Sequence, residues 1–211
     1  TILEPVQTLG SDQWFEFLVK KYEGQGQDHA KAILSSQQDW NLVQQKTEVR
    51  LVETRTAKLI RKLQFRGITV IALTARPDSL SNVTARQLSS LGVHIEQYAG
   101  YSNPEVVYAN GIIFSAGKNK GVILRDFLER LNIQPQRLIF VDDKEKNVSN
   151  MDAEFVKTSI VNINYRYSAA DTRVHAFSAD IAELQWEHFL ATGELLTDEE
   201  AQELLSYALS A

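Results

Sequence analysis

The apolar run Leu138-Ile139-Phe140-Val141, closed by the adjacent carboxylates Asp142 and Asp143, constrains the fold of this chain more than any other stretch. An apolar run of that length reads as a buried strand, the usual setting being a parallel sheet. Acids at its carboxyl end sit where open α/β sheets hold their ligands. Two neighbouring like charges repel, so the pair calls for a cation, donors or water. All-oxygen ligands favour a hard ion such as Mg²⁺. The plainer reading of the same residues is a strand that runs into a polar turn or a helix N-cap.

Strand and helix signals alternate from residue 68 onward, which predicts a parallel α/β sheet. Ile68 to Leu73 is a β-branched run and reads as a strand. Ser79 to Leu91 reads as a helix stopped by Gly92, and Val93-His94-Ile95 as a short strand. Asn110-Gly111, between two apolar segments, is a hairpin signal. Lys120 to Leu131 and Asn147 to Phe155 read as helices, and Ser159 to Tyr165 as a strand. The chain before residue 67 reads as helical, with a first helix capped at Ser11 or Asp12 and broken at Gly24-Gln25-Gly26. A second helix spans Ala30 to Leu34, and a third spans Glu53 to Phe65 and closes at Gly67. Thr197 to Glu200 caps the last helix.

A chain of 211 residues can bury one sizeable core with a smaller subdomain attached. The net charge of -5, with no Lys/Arg-rich block, argues against nonspecific binding to nucleic acid or anionic membranes. The absence of cysteine removes disulfides, thiolate metal sites and cysteine nucleophiles. No apolar run reaches membrane-spanning length, and the amino end carries no basic-then-apolar leader. The expectation is a soluble protein, cytoplasmic or periplasmic/secreted, with its oligomeric state open. His29, His94, His175 and His188 are scattered without metal-ligand spacing.

Three further features point to anion chemistry. Thr74 ends the run from Ile68 and precedes Ala75-Arg76-Pro77, so its hydroxyl and the turn's N–H groups can donate to an anion. The alternative is a cap for the next helix. Lys118 and Lys120 lie at the start of a helix, where the dipole disfavours cations unless an anion sits beside them, as a phosphate would. An exposed basic loop is the bland alternative. Asn147 can complete an oxygen ligand set or hold a carboxylate in place.

In this order Thr1-Ile2-Leu3, Thr74, Lys118 or Lys120, and Asp142-Asp143 resemble the motifs of the haloacid dehalogenase (HAD) superfamily of phosphohydrolases, over residues 1–165. The resemblance implies a Rossmann-like, three-layer parallel sheet with a mostly helical cap inserted after the first strand. The core would be 1–7 and 67–211, and the cap 8–66. It implies Mg²⁺-dependent hydrolysis of a small phosphomonoester through an aspartyl-phosphate, with a small phosphorylated substrate and no nucleic acid as partner. Thr74 and Lys120 would be catalytic. Thr74, Ala75, Lys120 and Lys118 would bind phosphate, Asp143 and Asp142 would hold the metal, and Asn147 and Thr1 would stand behind them. Both aspartates of the superfamily's first motif, the nucleophile and the acid/base, would precede Thr1 together with the strand that carries them. The chain then reads as part of a longer protein whose catalytic pair lies upstream. The alternative is a noncatalytic relative that kept an anion or partner site.

Overall fold

The computed structural model describes residues 2–210, with side chains as far as Tyr207. Leu3–Leu51 groups with the chain from Asp171 onward, and Val52–Ala170 forms a second unit.

The first unit is mostly helical. Short strands β1 (Leu3–Pro5) and β2 (Val49–Leu51) pair antiparallel, with Glu4 opposite Arg50. Between them run α1 (Asp12–Gly24) and α2 (His29–Gln44), which pack on each other. The later chain adds α7 (Asp171–His175), α8 (Ala179–Thr192) and α9 (Asp198–Ser210). Ser11 caps α1 by accepting from Trp14 N at 3.1 Å, and buried Trp14 meets Trp186 of α8 at 5.4 Å between ring centroids. Helix α2 runs well past Leu34, where its polar stretch suggested an end. Buried Ser36 donates to Ala32 O, and buried Gln44 donates to Gly10 O at 2.7 Å, so the polar residues of this helix are satisfied inside the unit.

Sequence grouping placed residues 171–210 with the sheet. A buried amide decides otherwise. Gln185 is fully buried, accepts from Leu9 N at 2.9 Å, and donates to Leu196 O and Asp198 Oδ1. Asp198 also accepts from Thr8 N at 2.6 Å. These long-range bonds tie the late helices to the amino-terminal segment, and helix α3 groups with the sheets instead.

In the second unit α3 (Thr56–Phe65) leads to β3 (Ala72–Thr74), then a 3-10 turn at Asp78–Leu80 and α4 (Ser81–Ser90). Then follow β4 (Val107–Ala109), β5 (Ile112–Phe114), α5 (Lys120–Arg130), β6 (Arg137–Asp142), α6 (Glu145–Phe155) and β7 (Val161–Arg166). Asn110 (φ 55°) and Gly111 (φ 76°) close the β4–β5 hairpin in the left-handed conformation such a turn needs. Strand β5 also pairs parallel with β3, and β6 pairs parallel with β7. The two sets of strands form separate sheets, in the orders β3-β5-β4 and β6-β7.

Two expected strands are curtailed for one reason. Ile68–Ile71 lies outside any ladder, and Val93-His94-Ile95 is irregular. Each follows a helix closed by a left-handed glycine, Gly67 or Gly92. In that closure Ile68 N donates to Leu63 O and Val93 N donates to Leu88 O, so these N–H groups serve the helix end.

The core of this unit is Val106, Ile113, Ile123, Leu124, Phe127, Leu128, Met151 and Phe155, with Leu73, Leu138 and Phe140 packed against it. Leu73 of β3, Ile113 of β5 and Leu138 and Phe140 of β6 thus join one core with the helical layer of α5 and α6. That layer is tight at Gly121, where an added Cβ would lie 2.6 Å from Asn150 O and 2.9 Å from Glu154 Cβ.

Gly121→Ala should therefore force α5 and α6 apart and lower stability by about 1–3 kcal/mol in urea denaturation. A neutral result would mean the helices part at no cost. In the helical unit, burial first and then the hydrogen bond and charge of Asp39 raise the Tyr22 hydroxyl to about 12. Its contribution is complete below pH 10, the usual tyrosine value, and is lost as pH climbs through about 12. Absorbance titration at 295 nm should show Tyr22→Phe removing a tyrosinate that forms only at the alkaline end.

Candidate anion site at the strand tips

Lys120 opens α5 behind Asn119, whose side chain caps the helix by accepting from Gly121 N at 2.9 Å and Val122 N at 3.3 Å. An ammonium in a first helical turn faces the positive end of the dipole, which disfavours it. Lys120 is also only 7% exposed. The compensation comes from Asp142, the last residue of β6, itself 3% exposed. Lys120 Nζ donates to Asp142 Oδ2 at 2.6 Å.

The other oxygen of that carboxylate is also held. Lys144 N and Asn147 Nδ2 each donate to Asp142 Oδ1 at 2.9 Å. Backbone pairing fixes the same residue, since Tyr167 N donates to Asp142 O at 2.8 Å. The Tyr167 hydroxyl donates to Glu53, and burial followed by that bond raises it to about 12.

Thr74 ends β3 with its carbonyl clamped by Ser115 N at 2.8 Å and Ser115 Oγ at 2.9 Å. Its hydroxyl oxygen accepts from Arg76 N at 3.2 Å, which leaves the hydroxyl hydrogen to donate. Ala75 is exposed at the start of the turn. Asp143 is half-buried beside Asp142. Lys118 points elsewhere, donating to Glu105 O at 3.1 Å and Glu105 Oε2 at 3.2 Å while 47% of its side chain stays exposed. The left-handed pair Ala116 (φ 48°) and Gly117 (φ 78°) turns the chain just before Lys118, and the cap residue Asn119 separates the two lysines. Thr1 lies outside the described residues.

Sequence reasoning passed over Ser115 and the brace on Arg76. Ser115 is 1% exposed and follows the apolar triplet of β5, where a lone polar residue is a signal. Arg76 Nη1 donates to Thr84 Oγ1 at 3.1 Å and Gln87 Oε1 at 2.6 Å. Both acceptors are buried on α4, which holds the turn after Thr74 in place.

Among the described residues no group of three or more histidine, aspartate or glutamate side chains converges on a point. Asp142 spends both oxygens on a cation and two N–H donors, so its chemistry suits anchoring Lys120 rather than facing a metal.

The comparisons with known proteins bear on the family. A family model described as "Protein of unknown function (DUF2608)" matches residues 1–202. The chain belongs to that family. A "Putative outer membrane protein" of Chlamydia pneumoniae is 26% identical over 213 residues, covering 99% of this chain and 80% of its own length. One of the same description in Chlamydia muridarum is 26% identical over 212 residues, with the same coverage. An uncharacterized protein of Rickettsia prowazekii is 28% identical over 174 residues, 75% of this chain and 64% of its own. No solved structure matches.

This membership corrects the assignment to the haloacid dehalogenase superfamily. The matched signals were a hydroxyl at a strand tip, a lysine at a helix start and acids after a strand. Parallel α/β folds place such groups at their ligand crevices whatever their family.

Removing one partner of a buried ion pair strands the other. Lys120→Met should cost about 3–5 kcal/mol in denaturant unfolding, and adding Asp142→Asn should restore part of it. A loss below about 1 kcal/mol would class the pair with exposed ones.

Proposed function

We propose that the natural protein is a Mg²⁺-dependent phosphohydrolase of small phosphomonoesters, with the carboxyl ends of β3 and β6 as its phosphoryl cradle. The observation that carries this reading is the buried ammonium of Lys120. It has three N–H donors, and Asp142 Oδ2 accepts one of them. Two donors remain for the oxygens of an anion. On this reading the Thr74 hydroxyl and the Ala75 N–H, at the end of β3, would add uncharged donors.

In this scheme Lys120 and Thr74 bind and orient the phosphoryl group and hold its oxygens as charge develops during transfer. Asp142, Asn147 and the Lys144 N–H keep the ammonium aimed. Asp143 would hold Mg²⁺, which supplies further neutralisation of phosphate charge when bound. We assign the attacking carboxylate and the acid/base to an Asp-x-Asp pair upstream of Thr1, on a parallel strand seated between β3 and β6. That strand would join both sheets into one Rossmann-like parallel sheet. In support, β3 pairs only with β5 and β6 only with β7 among the described residues, while Leu73 and Phe140 pack against the same core cluster. The C. pneumoniae and C. muridarum relatives also extend beyond the matched region.

Attack by the upstream carboxylate on phosphorus would expel the alcohol, protonated by the second acid. Water would then cleave the aspartyl-phosphate to give phosphate and free carboxylate. The relatives named for the outer membrane support a place in the cell envelope. Among the described residues no helix is long and apolar enough to cross a membrane.

The test is hydrolysis of p-nitrophenyl phosphate by this chain together with whatever residues precede Thr1 in the natural protein. Turnover should require Mg²⁺, fall about 10²–10³-fold in Lys120→Met, and demand more Mg²⁺ in Asp143→Asn. An upstream sequence without the Asp-x-Asp pair would overturn the hydrolase reading and favour a noncatalytic anion-binding module. Activity untouched by Asp143→Asn would remove Mg²⁺ from that residue.

A further inference from the structure

The molecule carries a net charge of -5, yet residues 54–67 hold Arg55, Lys58, Arg61, Lys62 and Arg66 and no acid. All five cations are exposed on and beside α3, and none of them makes an ion pair among the described residues. This cluster corrects the expectation that the chain has no Lys/Arg-rich block.

Inside its own fold the arrangement is unfavourable. Lys58 and Lys62 stand four residues apart on the helix, a spacing at which like charges repel, and only Lys62 and Arg66 lie at the carboxyl end where the dipole favours cations. Arg55 occupies the N-cap with no side-chain bond to the helix, and the first turn has no acid to meet the dipole. Ala57 and Ile60 bury the inner face. The outer face nevertheless keeps large apolar groups in water. Phe65 is 92% exposed, Leu59 55% and Ile68, just past the helix, 49%.

We infer that α3 is a membrane-docking face that lies on an anionic phospholipid surface. Charge complementarity selects the partner. Phosphate headgroups supply the negative charge that the five cations lack, and their long stems let the charged ends reach that layer. Phe65, Leu59 and Ile68 favour a lipid surface over other polyanions, because an interfacial helix places such side chains at the acyl boundary. The inference stands apart from the chemistry at Lys120 and accords with the envelope location proposed above.

The experiment is co-sedimentation of the full chain with vesicles of phosphatidylcholine containing about 30% phosphatidylglycerol, against pure phosphatidylcholine. Binding should be confined to the anionic vesicles and weaken steeply with added salt. Each cation contributes about fivefold, so Lys58→Gln/Lys62→Gln/Arg66→Gln should weaken binding about a hundredfold. Phe65→Ser should also weaken it, including at high salt, where the apolar contribution persists. Circular dichroism would verify that both variants remain folded. Equal binding to both vesicle types, or a triple variant that binds undiminished, would overturn the inference. So would capture of heparin or single-stranded RNA by this face with no binding to the anionic vesicles.

Discussion

The ion pair between Lys120 and Asp142 sets the terms for everything around it. Taking an ammonium and a carboxylate out of water costs several kcal/mol per ion, and Coulomb attraction repays it only when geometry and further hydrogen bonds are good. Asp142 meets that condition through Lys144 N and Asn147, and α5 meets it by starting at Asn119. Gly121 then lets α5 lie directly on α6, so the lysine sits where β6 ends. A pair bought this dearly is poor evidence of stability and a better pointer to a site.

The same molecule treats charge in two opposite ways. At the strand tips one cation is buried against one anion. On and beside α3 five cations stand in solvent with no ion-pair partner among the described residues, next to exposed apolar side chains. Net charge describes neither arrangement, because the physical effect depends on how charges are placed and screened.

Local signals were legible where a short stretch decides its own conformation. Asn110-Gly111 turns the β4–β5 hairpin as its left-handed preference requires. Thr197 and Glu200 form the reciprocal cap at α9, with Glu200 N donating to Thr197 Oγ1 and Thr197 N to Glu200 Oε2. The Thr197 N–H and the Thr197 hydroxyl both donate to Glu200 Oε2 and hold that carboxyl below its usual range. Legibility failed where a residue answers to something distant. Ser36 and Gln44 looked like the polar end of a helix and are buried within one. Ile68 to Ile71 looked like a strand, and the glycine closure of α3 took its first N–H.

From the sequence alone came the apolar run of β6, the acids after it, the hydroxyl at Thr74 and the lysines before α5. Residue type and spacing determine these, since each is a preference of the local chain. Only the tertiary structure chose Lys120 over Lys118, made Asp142 the anchor of an ammonium, and drew the last helices onto the first through Gln185. Those choices rest on burial and on contacts across many residues, where a buried polar group must find its partner wherever the fold brings one.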